Sequence, residues 1–430
     1  IGKGAGISYS NGASNATGDI VVGNGANINN YASQGGSVAI GKNAKVENMA
    51  GGGEASFAFG QTTFSGGWWS SARIPADPTK VVGSVAIGDN TFARTGSTMI
   101  GSHNYKGALG DTTVDSASTR TDALNVYATT IGANSFSNGA FTTSTGVYNI
   151  ISSDYNGGRL ANPVKNLGAT INGSLNSIEG RSGNYYSGIA NTVSGVANRT
   201  FNSNGSLIYG AGNEITNSVT SLSSVPTDNG SSAKDFAEKL RTAITSFESG
   251  GATLAIGGGN KADYTQKTSI IGVNNTITGT SGKVSQLNFV SGFKNTITNA
   301  SNNIVMGDKH TVTADNTVAI GGLSSADTRS VANTTSVGYD TKVNKEGGVA
   351  LGYKSNATVD KGATGYDLSV NGASSETNST WKSTAAAVSV GDVANNITRQ
   401  ITSVAAGTND TDAVQCSSVK KSSCWRFRRE

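Results

Sequence analysis

The body of this chain has no cysteine. Cys416 and Cys424 are its only two, so neither disulfides nor cysteine–metal sites hold residues 1–414 together. Histidine is almost as scarce: His103 and His310 leave little room for a histidine-based metal cluster, and both fall just after a glycine corner, where they read as turn residues. Charged residues make up 14%, against about 25% in an average soluble protein. No apolar run approaches the ~18 residues of a membrane-spanning helix, and there is no Gly-X-Y period to make a collagen. The motifs G-x-S-x-G, G-x-G-x-x-G, C-x-x-C and H-E-x-x-H are missing. The 28 acidic residues are too dispersed to suggest the paired carboxylates of glycan hydrolysis.

The net charge of +4 lies entirely in the tail, where Lys420, Lys421, Arg426, Arg428 and Arg429 face only Glu430. The rest is neutral, which argues against a nucleic-acid partner. The chain opens at Ile1 in the middle of a sequence pattern, without a signal peptide, and reads as a fragment of something longer.

What is present in excess is glycine, 58 of 430 residues. Isoleucine and valine outnumber leucine, which favours pleated surfaces over helices. The glycines punctuate a repeat. Gly36–Glu47 (GSVAIGKNAKVE) returns as Gly83–Arg94 (GSVAIGDNTFAR), with relatives at Gly18–Asn29, Asn316–Asp327 and Gly347–Thr358. Markers such as Gly23, Gly41, Gly60, Gly88, Gly101, Gly257, Gly272, Gly307, Gly321, Gly338 and Gly352 close short apolar runs, with Gly188 among the weaker ones. The shortest spacings lie near 14 residues, and longer ones read as that period plus an insertion.

Before the marker, branched residues alternate with alanine: Val38/Ile40 around Ala39, Val85/Ile87 around Ala86, Val318/Ile320 around Ala319, and Val349/Leu351 around Ala350. Five residues after it stands a second branched column, including Ile277 and Ile297, with Val193 assigned to it from Gly188. Each unit therefore has two short strands with a glycine corner, one coil of an all-β solenoid. The branched face is expected to fill the coil, placing Val38, Ile40, Val85, Ile87, Ile271, Ile277, Ile297, Val318 and Ile320 in the core. The small face, with Ala39, Ala86, Ala319 and Ala350, then reads either as a homo-oligomer interface or as the exterior of a monomeric solenoid.

The repeats Ser37–Gly41, Ser84–Gly88, Thr317–Gly321 and Gly348–Gly352 resemble the head repeats of YadA-like trimeric autotransporter adhesins. Ala387–Asp392 leading into Thr398–Val414 resembles that family's neck. The resemblance implies a homotrimer of left-handed parallel β-rolls on the surface of a diderm bacterium, held in the outer membrane by an anchor domain outside this sequence. It divides the chain into a head at 1–359, a pre-neck insert at 360–386, a neck at 387–414, and a tail at 415–430. The tail departs from the family pattern and reads as a cloning or frame-shift product. No cofactor is implied.

Individuality lies in the insertions, near 61–82, 102–130 and 218–251. The first holds Trp68, Trp69 and Arg73, which are typical contact residues but would equally serve to pack on a neighbouring subunit. The third predicts a helix, with Phe236, Leu240, Ile244 and Phe247 on one stripe and Lys234, Lys239 and Arg241 off it. That helix reads as docked on the roll by its stripe, or as a ligand reader on its basic face. The overall expectation is a non-catalytic adhesin head that binds a host-cell or matrix protein, or a bacterial surface glycan. The alternatives are a β-helix polysaccharide-processing enzyme and a structural spacer.

Overall fold

A computed structural model describes residues 1–9, 17–30, 35–48, 83–94, 96–102, 127–137, 139, 141–153, 166–180, 187–218, 233–245, 252–367, 369–405, 407–409 and 412. The sequence expectations for Gly60, Trp68, Trp69, Arg73, His103 and the tail at 415–430 lie outside the described residues.

The chain divides into two compact units, Ile1–Gln286 and Leu287–Glu430. Each is a parallel β-solenoid. In the first unit, strand Val38–Ile40 pairs in register with Ile20–Val22 on one side and Val85–Ile87 on the other. Further along, Thr170–Ser174, Thr192–Val196, Leu207–Ala211, Leu254–Gly258 and Ser269–Val273 stack successively. The strands after the corner form a second parallel sheet, as in Ser177–Gly180, Arg199–Phe201, Glu214–Thr216, Lys261–Asp263 and Thr276–Thr278. The second unit repeats the arrangement, with Phe289–Phe293, Ile304–Asp308, Val318–Ile320, Thr335–Val337 and Val349–Leu351 stacked in parallel.

Glycine is required at the corners for two reasons. Gly257 has φ of 121°, a region that side chains disfavour, and a Cβ there would overlap the carbonyl oxygen of Gly272 in the next coil. One marker assignment is corrected by the pairing. The corner between Gly173 and Gly210 is Gly195, not Gly188, because Gly173 pairs with Gly195 and Gly195 with Gly210. Val193 therefore belongs to the strand before the corner.

The expected inside and outside of the first strand are reversed. Ala39, Ala86, Ala319 and Ala350 are fully buried inside their coils, so they cannot face another subunit. Val38, Ile40, Val85, Ile87, Val318 and Ile320 point outward and are half-buried, while Ile271 is 37% exposed. Ile277 and Ile297, on the strand after the corner, are fully buried. The position in the coil, not side-chain size, selects the inward residue: two residues before the corner stand Ala39 and Ala86 in the N-terminal coils but Ile171, Ile208 and Ile270 further along, all buried. In the N-terminal coils Ala39 therefore sits in one cluster with Ile28, Val46, Ala86, Ala93 and Met99.

A buried amide ladder closes many corners. Three residues after the corner, Asn198 Nδ2 donates to Gly210 O of the next coil at 2.7 Å, and Asn198 Oδ1 accepts from Asn213 N at 3.0 Å. Asn149, Asn176, Asn213 and Asn260 repeat this pattern. Each rung gives the buried backbone N–H of the next asparagine an acceptor and the corner carbonyl a side-chain donor, and a buried backbone group without a partner costs ~1–3 kcal/mol.

His310 takes the same position in the second unit. It is buried in the strand His310–Val312 and is not an exposed turn residue. Its backbone N–H donates to Asn295 Oδ1, and its ring Nε2 contacts Gly321 O as an asparagine amide would.

In the same unit an excursion leaves the solenoid after Val359 and returns at Ala387, whose N–H donates to Val359 O at 3.1 Å. It contains a short antiparallel pair, Tyr366–Asp367 with Gly372–Ala373. Val388–Ser389 then rejoins the first sheet beside Val349–Ala350.

Candidate functional site

The feature with the greatest functional content is the outward face of the first sheet. In the first unit it carries Ile20, Val22, Ile100, Ile131, Leu207, Tyr209 and Ile271, all exposed, with Tyr209 at 62%. Val38, Ile40, Val85, Ile87, Leu254 and Ile256 lie half-buried on the same face. These side chains share a face because outward positions one and three before each corner align from coil to coil: Val38 with Val85, and Ile40 with Ile87. Soluble monomers seldom expose aligned apolar rows of this kind. The second unit has the same face, with Phe289, Ile304, Met306, Val337 and Leu351 exposed.

The sequence reading missed this face because it assigned these columns to the core. A signal was available. The position two before the corner is apolar in Ile171, Val193, Ile208, Ile270, Val290 and Val305. The positions flanking it vary between apolar and polar, as in Thr170/Asn172 and Phe289/Ser291. The column that stays apolar in these coils is the inward one.

The basic residues expected on the insertion helix are found there. The helix spans Ala233–Thr245, and Lys234, Lys239 and Arg241 are all exposed. Leu240, on the predicted stripe, is half-buried.

The second unit also holds an open polar cleft of about 550 Å3, lined in part by Ser324, Asp327, Asp340, Lys342, Lys354 and Asp392. Desolvation acts to raise the Asp340 carboxyl. It is outweighed by the backbone N–H and hydroxyl of Ser324, at 2.6 and 2.8 Å, which hold it below the usual carboxylate range. Asn395 does the same for Asp392, donating at 2.7 Å. Beside the cleft, Arg399 donates to Tyr353 O at 2.6 Å, to Ser355 Oγ at 3.1 Å and to Val390 O, tying the segment after the 3₁₀ turn Val393–Asn395 to the last coil.

His310 and Arg329 form a second buried polar group. A carbonyl only accepts, so the Nε2 facing Gly321 O carries the proton, and Nδ1 accepts from Arg329 Nε at 3.2 Å. The imidazole is therefore neutral. Burial holds it below its ordinary value, and the Arg329 charge acts in the same direction. Arg329 also donates to Thr341 O at 3.0 Å. Among the described residues, no three of His, Cys, Asp and Glu converge to hold a metal ion. No helix there is long and apolar enough to cross a membrane.

No protein-family model matches the chain. Over 72 residues it is 51% identical to Autotransporter adhesin BadA of Bartonella henselae, a stretch covering 17% of this chain and 2% of that protein. The chain is thus a partial homologue of an autotransporter adhesin, and it corresponds to a small part of that relative's length.

Proposed function

We propose that this chain is the head and neck region of a cell-surface adhesin and that it works as a homotrimer without catalysis. The observation that carries the adhesin reading is the 72-residue match to an autotransporter adhesin. The same match supports export to the cell surface and attachment to the outer membrane. The trimer reading is supported by the outward Ile/Val columns, which a second copy of the chain would cover. The interface is accordingly assigned to Val38, Ile40, Val85, Ile87, Val318 and Ile320, in place of the buried alanines.

Coils of this kind are generic, so recognition is assigned to what interrupts them. The primary contact candidates are Trp68, Trp69 and Arg73, with Lys234, Lys239 and Arg241 on the exposed helix face as the second set. Three equivalent heads supply avidity, which lets each contact be shallow. The ligand class is a host-cell or matrix protein or a bacterial surface glycan.

Sedimentation of the purified chain should give three times its 43.5 kDa mass, and matrix-protein and glycan arrays should retain it. The double variant Trp68→Ala, Trp69→Ala should lose retention without a change in melting temperature. Full retention by that variant removes the loop from the site. Absence of retention on any array, with a trimer present, favours a spacer over an adhesin.

A further inference from the structure

The apolar strip of the first unit is interrupted. Over three successive coils its outward pairs are Thr143/Thr145, Thr170/Asn172 and Thr192/Ser194, stacked in register with one another. On one side lies Thr129/Ile131 and on the other Leu207/Tyr209. Thr145 and Asn172 are exposed and the other four side chains half-buried. None of the six makes a side-chain hydrogen bond among the described residues. The inward residues of the same coils, Ser144, Ile171 and Val193, are fully buried. The belt is therefore not needed to close the roll, and it places unspent donors and acceptors on the assembly face.

We propose that this polar belt is the register key of the assembly: it fixes the level at which copies of the chain meet. The inference rests on the second-copy reading given under Proposed function. The outward apolar side chains of the first unit, among them Ile20 at 50% and Tyr209 at 62% exposed, form an apolar face of a kind that soluble monomers seldom leave uncovered. That surface alone does not define a level. Ile20/Val22, Val38/Ile40 and Val85/Ile87 are three successive rungs of the same chemistry. Sliding one copy by one coil, ~4.8 Å, sets apolar side chains against apolar side chains again.

The belt removes this degeneracy. In register, threonine meets threonine and Asn172 meets Asn172. Hydroxyls and amides are both donors and acceptors, so each can bond its own kind or a shared water. After a one-coil slip, Thr192 of one copy meets Leu207 of the next and Thr145 of the next meets Ile131 of the first, so both hydroxyls lose water without gaining a partner. Each such group disfavours the slipped state about tenfold or more. A buried asparagine fixes register in coiled coils by the same logic, at a cost in stability.

Isoleucine methyl NMR of the intact chain reads the register directly. In-register copies make Ile131 and Ile271, both outward, single resonances. Slipped registers multiply those signals while inward Ile171 and Ile208 stay single. In the variant Thr143→Val, Thr145→Ile, Thr170→Val, Asn172→Ile, Thr192→Val, Ser194→Ile, the minor outward signals should rise roughly tenfold or more and the assembly should melt higher. Asn172→Ile alone, which is milder for solubility, should show the same extra signals at lower intensity. Single outward resonances in both variants, with trimeric mass retained, overturn the register key. A monomeric mass for the unmodified chain overturns the second-copy reading beneath it, and sedimentation reports that outcome separately.

Discussion

Two kinds of coil share one backbone in the first unit. The coils at 36–48 and 83–94 bury Ala39 and Ala86 and present Val38/Ile40 and Val85/Ile87 outward. The coils at 170–180 and 192–201 bury Ile171 and Val193 and present Thr170/Asn172 and Thr192/Ser194. Their corners differ as well. The first kind has Ala44 or Thr91 three residues after the glycine, and the second has Asn176 or Asn198 in the amide ladder. An isoleucine in place of an alanine buries about three more carbons, worth ~2 kcal/mol by transfer. The second kind of coil is thus stabilised chiefly from within. The first leaves its apolar surface outside and gains most from a partner.

The comparison is broken most severely by a charge inside an alanine coil. Ala39→Glu should abolish the cooperative unfolding of the roll, since an unpaired buried carboxylate costs at least ~4 kcal/mol. Circular dichroism should show lost β structure. A folded monomer would instead restore Ala39 to the outer face.

Next in size is a matched pair of truncations. Ile171→Ala should destabilise the single chain by ~2–5 kcal/mol in denaturant unfolding. Ile87→Ala should cost about 1 kcal/mol or less in the chain itself and act mainly on assembly, as dissociation on dilution. Equal effects on both readouts would erase the distinction between the two kinds of coil.

The corners sharpen it further. Asn198→Ala removes the acceptor of the buried Asn213 N–H and the side-chain donor to Gly210 O, and should cost about 1–3 kcal/mol. Thr91→Ala removes only a contact to Gly88 O within its own coil, at 3.3 Å, and should cost about 0.5–1 kcal/mol.

The smallest effect is expected at His310, which ends the amide ladder in the second unit just before the coil of Ala319. Its folded value lies below its ordinary value of 6.5, so the unfolded chain takes up the proton first as pH falls. Stability present above pH 6.5 should therefore decline as pH drops through that window. Protonation would set an Nδ1–H against the Arg329 Nε–H, with Asp308 and Asp327 the nearby charges that offset it. His310→Asn should flatten the pH dependence of melting below pH 6.5. An unchanged slope would assign it to other groups.

Much of the fold was legible along the chain. The repeat, the glycine corners, the two-strand coil and the helix near 233–245 all leave local marks, namely period-two alternation, a residue type that tolerates positive φ, and period-3.6 spacing. Gly195 was misjudged because the coil before it carries a second glycine at Gly188, and one glycine looks like another without its pairing partner. The amide ladder was unread because it is a contact between coils. Asn198 and Asn213 are fifteen residues apart, and only stacking makes them neighbours.

Within a single Val/Ala coil, alternation alone does not mark inside and outside. Alternation has a period of two, so exchanging the faces leaves the pattern unchanged. Charged residues usually mark the outer face, and here Val38, Ile40, Val85 and Ile87 take their place. What the residues alone establish in the Val/Ala coils is that one face is branched and the other small. The corner decided which is which: the side chain two residues before each glycine points inward, whether it is Ala39 or Ile171, and this turns Val38 and Ile40 outward.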